Sequence, residues 1–222
     1  MTELVDRVRA ALRAAADPSL APAQQAYMKS AMPFLGVRVP EVRRIVNAEV
    51  RAAGRAKDGP GLAAASLELW DGATHREERY AAGELLAQRA LQGEWTLVPQ
   101  LEHMARSGAW WDHVDGLAHR VAALHDAHPV ATATLVRRWC VDDDFWMRRL
   151  AIIGQLGRRD RLDREVLAAT IEPNLADPEF FLRKAIGWAL RDAARHHPDW
   201  VRAFVADHDL SPLSRREALK HL

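Results

Sequence analysis

The chain has 222 residues with 31 lysines and arginines against 30 aspartates and glutamates, so its net charge of +1 announces no polyanionic partner, and any such partner must be met by local clustering. An apolar content of 49% is ample for a continuous core at a length that fits one domain or a short repeat array, and residues 1–222 read as a single domain. The single cysteine, Cys140, excludes an internal disulfide and a multi-cysteine zinc site, and reads as a small buried residue.

At the amino end Thr2 can cap a helix in which Leu4, Val5, Val8 and Leu12 recur at helical spacing, with Glu3 and Asp6 near the positive end of its dipole. This is an amphipathic helix rather than a signal peptide. No run approaches the roughly 18 apolar residues needed to span a bilayer, which sets the expectation of a cytoplasmic protein without a membrane partner. Beyond Asp17-Pro18 short helices follow, punctuated by Pro22, Pro40, Pro60, Pro129 and Pro198 where first helical turns can begin. Sustained strand alternation is absent, so the class is all-α. Gly54 to Gly61, with Lys57-Asp58-Gly59-Pro60, reads as a solvated flexible connector. Helices are then predicted over roughly 62–70, 74–91, 94–106, 109–125, 129–139, 144–157, 161–173, 178–195, 198–208 and 213–221.

Some constellations are better explained by structure than by chemistry. Asp142-Asp143-Asp144 stands directly before an aromatic-led helix and reads as an N-cap with favourable dipole placement rather than a magnesium site. His125, His128, His196 and His197 sit near predicted helix ends, where solvated or capping roles fit better than metal ligation. Neither a bound metal nor a cofactor is expected. There is no glycine-rich phosphate loop, nucleophile elbow or zinc-deaminase signature, so any chemistry must use few groups.

A repeat organises the chain. Trp110-Trp111 recurs as Phe145-Trp146 and Phe180-Phe181, a step of 35 residues, and one step back from Trp111 lands on Arg76 in a segment that resembles the one after Trp146. A period of this length built of helix pairs points to an α-solenoid, and the aromatic doublet is part of that architecture. Departures from the repeat are more informative. Asp115 stands where the other units place Tyr80, Leu150 and Ala185, and Trp188 where they place Gly83, Ala118 and Ile153. Trp111 lies one helical turn before Asp115, so a large π surface sits beside a carboxylate, a pairing that suits a cation. Arg149 aligns with Arg79, Val114 and Lys184, giving three basic residues expected to line a groove.

Trp110-Trp111-Asp112-His113-Val114-Asp115, Trp146-Met147-Arg148-Arg149-Leu150-Ala151-Ile152, Lys184-Ala185-Ile186-Gly187-Trp188-Ala189-Leu190-Arg191, Tyr27-Met28-Lys29 leading to Phe34-Leu35-Gly36, and the ending Leu210-Ser211-Pro212-Leu213-Ser214-Arg215-Arg216-Glu217-Ala218 together resemble the DNA alkylation repair family of AlkD-type DNA glycosylases. The resemblance spans nearly the whole chain. It implies a HEAT-like α-solenoid whose concave face holds double-stranded DNA, and excision of N3- and N7-alkylated purines by a monomer. Trp111, Asp115 and Trp188 match the family's catalytic cluster, Arg149 its phosphate-contacting arginine and Tyr27 an aromatic near the lesion, while Gly157 stands where a basic residue is expected. Backbone binding would come from Arg149 and Lys184, with Arg148 or Arg191.

The chemistry asked of so sparse a site is small. Alkylation at N3 or N7 makes the purine a cationic leaving group that needs no general acid, and the electron-poor sugar formed as the bond to C1′ breaks is stabilised by a fixed carboxylate. Two other classes compete with this reading: a catalytically silent α-solenoid that binds damaged or branched DNA, and a protein-binding adaptor. Neither explains an off-pattern Asp115 and Trp188 beside basic residues.

Overall fold

The computed structural model describes residues 3–54 and 58–222, and these form α-helices joined by short turns and 3₁₀ segments, with no strand among them. They gather into two compact units that meet in sequence between Gln92 and Gly93. The first holds α1 (Glu3–Ala14), α2 (Ala21–Met28), α3 (Val39–Ala52), α4 (Gly59–Asp71) and α5 (Arg76–Leu86). Val5, Val8 and Leu12 form the buried stripe of α1, which packs against α3, α4 and α5. Val42, Ile45, Val46 and Val50 of α3 and Leu85 and Leu86 of α5 complete that core. Each such side chain, taken fully out of water, contributes about 1.5–3 kcal/mol. The predicted cap at Thr2 lies outside the described residues.

The second unit contains α6 (Val98–Gly108), α7 (Trp111–Ala127), α8 (Pro129–Trp139), α9 (Phe145–Ile153), α10 (Arg164–Ile171), α11 (Phe180–Ala194), α12 (Pro198–Asp207) and α13 (Pro212–Ala218). Here α7 packs on α9, α9 on α11 and α11 on α13, one row; α6 lies against α7, α8 against α7 and α9, α10 against α8 and α9, and α12 against α11, a second row. These are the stacked helix pairs of an α-solenoid. Bonds between residues about one repeat apart hold the stack: Trp139 Nε1 donates to Glu102 (2.6 Å), Asn174 Nδ2 to the Cys140 carbonyl (2.9 Å) and the Gly157 amide to Asp192 (2.8 Å). The aromatic doublets form a ladder, with ring centroids 6.1 Å apart for Trp110 and Trp146 and 5.0 Å for Trp146 and Phe181.

The five prolines expected in first turns stand there, in α2, α3, α4, α8 and α12, and Pro99 and Pro212 do the same in α6 and α13. Asp144 caps α9 by accepting from the Trp146 amide at 2.9 Å, as the acidic run suggested.

Three expectations are corrected. The connector ends sooner than its composition implies, because Asp58 accepts from the Gly61 amide (2.8 Å) and starts α4 at Gly59; residues 55–57 lie outside the described ones. The helix expected over 74–91 stops at Leu86 and the next begins only at Val98, since Gly93 adopts a left-handed φ of 74° between two 3₁₀ turns. His125 is buried rather than solvated, on the inward face of α7.

Candidate functional site

Helix α7 starts abruptly. Ala109 ends α6 in the left-handed region (φ 38°), a costly conformation for a residue with a Cβ, and Trp110 is extended, so Trp111 is the first residue of α7 and Asp115 follows one turn later. On the neighbouring α9, Arg149 occupies the place that its own repeat partner Val114 fills with a fully buried aliphatic side chain. A guanidinium put there has to be neutralised. Arg149 Nε donates to Asp115 Oδ1 and Nη2 to Oδ2, both at 2.8 Å, a bidentate fork, while Nη1 donates to the Phe181 carbonyl of α11 at 2.6 Å. One side chain therefore ties three successive helices of the row.

The two members of this pair differ in access. The Arg149 side chain is 3% exposed and that of Asp115 is 17% exposed. Burial pushes the Asp115 carboxyl above its ordinary value, against the opposing pull of Arg149 and with a small push from Asp112. A fixed, partly desolvated carboxylate that keeps some exposure results.

Arg149 was expected among the phosphate contacts and, with Arg79 and Lys184, in an open basic groove. In the structure its guanidinium is buried and pairs with Asp115 and the Phe181 carbonyl, since a charge inside the helix stack needs an internal partner. Arg79 lies over the Trp70 ring, 4.8 Å from its centroid, and Lys184 Nζ is 3.2 Å from Glu217 Oε1. Repeat-equivalent cations thus have different local partners. Arg148 is paired with Asp177 (2.8 Å) and donates to Asn174 (3.2 Å), and Arg191 is paired with Glu217.

Trp111 and Trp188 are both half-buried, on α7 and α11 of the same row. Tyr27 belongs to the first unit, on α2, a helix with no buried residue, and is 74% exposed. Gly157 has a φ of 78°, a conformation that favours glycine over the basic residue expected, and the neighbouring Arg158 is buried against Asp126. Among the described residues no three histidine, cysteine or acidic side chains group to hold a metal, and no helix is long and apolar enough to cross a membrane.

Sequence reasoning did not assign a role to Glu217, although it quoted the residue within the carboxy-terminal motif. Its signal was a lone acid following Arg215-Arg216. The partners Asp177 and Phe181 had no such signal, since a carbonyl acceptor and a capping acid are ordinary features of helix ends.

Stacked helix pairs, with a carboxylate of α7 held by an arginine of α9, define a class of helical repeat protein with a small polar site. The chain belongs to the DNA alkylation repair enzyme family, whose model matches residues 8–222. Among solved structures it is similar to a predicted DNA alkylation repair enzyme from Enterococcus faecalis, with 26% identity, a TM-score of 0.79, and coverage of 93% of this chain and 96% of that one. It is also similar in fold to smu.31 from Streptococcus mutans UA159, at 16% identity and a TM-score of 0.62 over 83% of this chain and 97% of that one. A weaker likeness, with 20% identity and a TM-score of 0.49 over 98% of this chain and 62% of that one, is to Pseudomonas fluorescens alkylpurine DNA glycosylase AlkC bound to DNA containing an abasic site analog. No curated protein matches the chain in sequence.

Proposed function

We propose that this protein is an alkylpurine DNA glycosylase that hydrolyses the N-glycosidic bond of N3- and N7-alkylated purines in double-stranded DNA, the first step of base excision repair. The observation that carries the reading is the Asp115 carboxylate, held by the Arg149 fork while its side chain stays 17% exposed. As the bond from C1′ to the purine nitrogen breaks, its electron pair leaves with the base and neutralises the purine's charge. The positive charge then lies on the sugar. A preorganised carboxylate stabilises that charge, and water attacks C1′ while giving its proton to Asp115 or to solvent. Trp111 and Trp188 offer π faces to the cationic nucleotide, each worth about 0.5–2 kcal/mol. Lys184, Arg148 and Arg191, with Tyr27 on the first unit, contact the DNA backbone and carry no sequence information. Arg149 orients Asp115. The protein acts as a monomeric, single-domain enzyme in the cytoplasm, associated with the nucleoid when bound to DNA.

The test is release of free base from a duplex carrying one N7-methylguanine, by the native protein and by Asp115→Asn in single turnover. Release by the native protein and its loss in the variant are expected. A native protein that binds the duplex and releases nothing would overturn the enzymatic reading.

A further inference from the structure

In the second unit every cation assigned to the DNA backbone already holds a carboxylate. The most exposed of them is Lys184, whose side chain is 41% exposed against 21% for Arg148 and 22% for Arg191. Lys184, Trp188 and Arg191 stand at i, i+4 and i+7 of α11, one helical face. Glu217 of α13 spans that face, with Oε1 on Lys184 Nζ at 3.2 Å and Oε2 on Arg191 Nη1. One carboxylate thus takes both cations that flank the tryptophan.

Glu217 is held in that position by the backbone. A Cβ built on Gly187 would lie 2.5 Å from Glu217 Cβ and 3.0 Å from the Ser214 carbonyl, so α13 touches the α11 backbone where a side chain is missing. Ser214 Oγ also donates to the Arg183 carbonyl at 2.9 Å. The Glu217 side chain is only 13% exposed. Toward its two cations it presents two anionic oxygens, as a phosphate would, and it costs no association entropy. Two positive charges are thereby reduced to a net one.

We propose that Glu217 is an internal phosphate mimic, a counter-charge that the DNA backbone must displace from Lys184 and Arg191 and that keeps binding to undamaged duplex weak. The inference rests on the reading that this face of α11 meets DNA. The near balance of charge over the chain is in keeping with it, since affinity is then set by local pairs rather than by bulk field. Each phosphate contact contributes about 0.9 to the slope of log Kobs against log salt, so freeing one cation steepens that slope by about one.

The experiment is fluorescence anisotropy of an undamaged duplex with native protein and with Glu217→Gln, between about 50 and 200 mM salt, with melting temperatures to confirm folding. Gln keeps the stem that seats against Gly187. Roughly three- to tenfold tighter binding at the lowest salt and a slope steeper by about one are expected. Lys184→Gln should weaken binding less in the native background than in the Glu217→Gln background, where it should remove most of the gain, because Glu217 offsets part of the Lys184 charge before DNA arrives. Equal or weaker binding by Glu217→Gln with an unchanged slope makes Glu217 a strut and overturns the proposal. So does an equal loss from Lys184→Gln in the native and Glu217→Ala backgrounds, Ala keeping the Cβ that seats against Gly187. A native protein that binds no duplex at all overturns the proposal together with the reading beneath it, whereas native binding and excision beside an inert Glu217→Gln sinks the counter-charge only.

Discussion

Glu77 in the first unit and Asp115 in the second are both acids withdrawn from water, and they are satisfied in opposite ways. Glu77 is fully buried in the first turn of α5 and accepts from the backbone amides of Leu35 (2.9 Å), Gly36 (2.9 Å) and Val37 (3.1 Å). Its charge is used up in fixing the segment between α2 and α3, where Gly36 runs so close to Asp17 that a Cβ would lie 1.9 Å from its carbonyl oxygen. Asp115 instead meets one guanidinium fork and keeps its side chain partly exposed. A carboxylate surrounded by amides can only build; one clamped from a single side is fixed in place and still available to a reacting atom.

The largest effect that can break this comparison is at Asp115. On the proposed mechanism Asp115→Asn removes a charge needed only in the transition state, so single-turnover release of N7-methylguanine should fall by about 10²-fold or more. The variant also leaves Arg149 buried without its counter-charge, a loss of up to about 3–5 kcal/mol, so stability and rate fall together. A second variant separates them. Asp115→Leu with Arg149→Met replaces the whole pair by apolar groups and should recover the melting temperature without recovering excision. If the double variant excises at near the native rate, the chemistry lies elsewhere.

Next in size is Glu77→Gln, expected to cost about 2–3 kcal/mol in urea denaturation, because an amide offers one acceptor oxygen and turns its own donors toward the backbone amides. A loss below about 0.5 kcal/mol would show that Glu77 is not the anchor of the segment it touches, and the contrast with Asp115 would fail.

What the sequence made legible follows from which forces are local. Periodicity, prolines in first turns and the acidic cap at Asp144 report on a few residues at a time, and they placed the helices of both units, with errors where a left-handed glycine such as Gly93 interrupts a run. The repeat exposed Asp115 and Trp188 as departures. Hidden from it was the pairing of charges across repeats: Arg149 looked like a free cation because the stretch that contains it says nothing of Asp115, 34 residues earlier and on the adjacent helix. His125 was misread for the same reason, since a polar residue near a helix end gives no sign of which face the next helix covers.

Arg149 yields a prediction in pH rather than in size. On the proposed mechanism excision needs ionised Asp115, so activity should be present above its pKa and lost as pH falls through it. Burial holds that carboxyl above the ordinary aspartate value while Arg149 pulls it down. The acid limb of native single-turnover excision should therefore lie above the range of a solvated aspartate, and in Arg149→Met it should move to still higher pH. Under the phosphate-contact reading the same variant would instead leave the limb in place and make the salt dependence of duplex binding shallower by about one.

The smallest effect at neutral pH concerns His125. Burial, then the charge of Arg158, lowers its pKa to about 4, with Asp163 and Asp126 opposing, and its Nε2 is buried without a hydrogen-bond partner. The folded chain therefore keeps it neutral, while the unfolded chain protonates it near pH 6.5. Between about 6.5 and about 4 the unfolded state binds the extra proton, so this residue's contribution is intact above that window and is lost as pH falls through it. The loss amounts to about 2 kcal/mol at pH 5. His125→Leu removes the titration and an unpaired polar atom, so it should change stability by less than about 1 kcal/mol at pH 7 and be the more stable protein at pH 5. Carboxylates that titrate at lower pH cancel in the difference between the two proteins. Melting temperatures of both at pH 7 and pH 5 decide it: a gap that stays constant between the two conditions would mean that His125 does not titrate on unfolding, and that its environment is wetter than its burial on α7 implies.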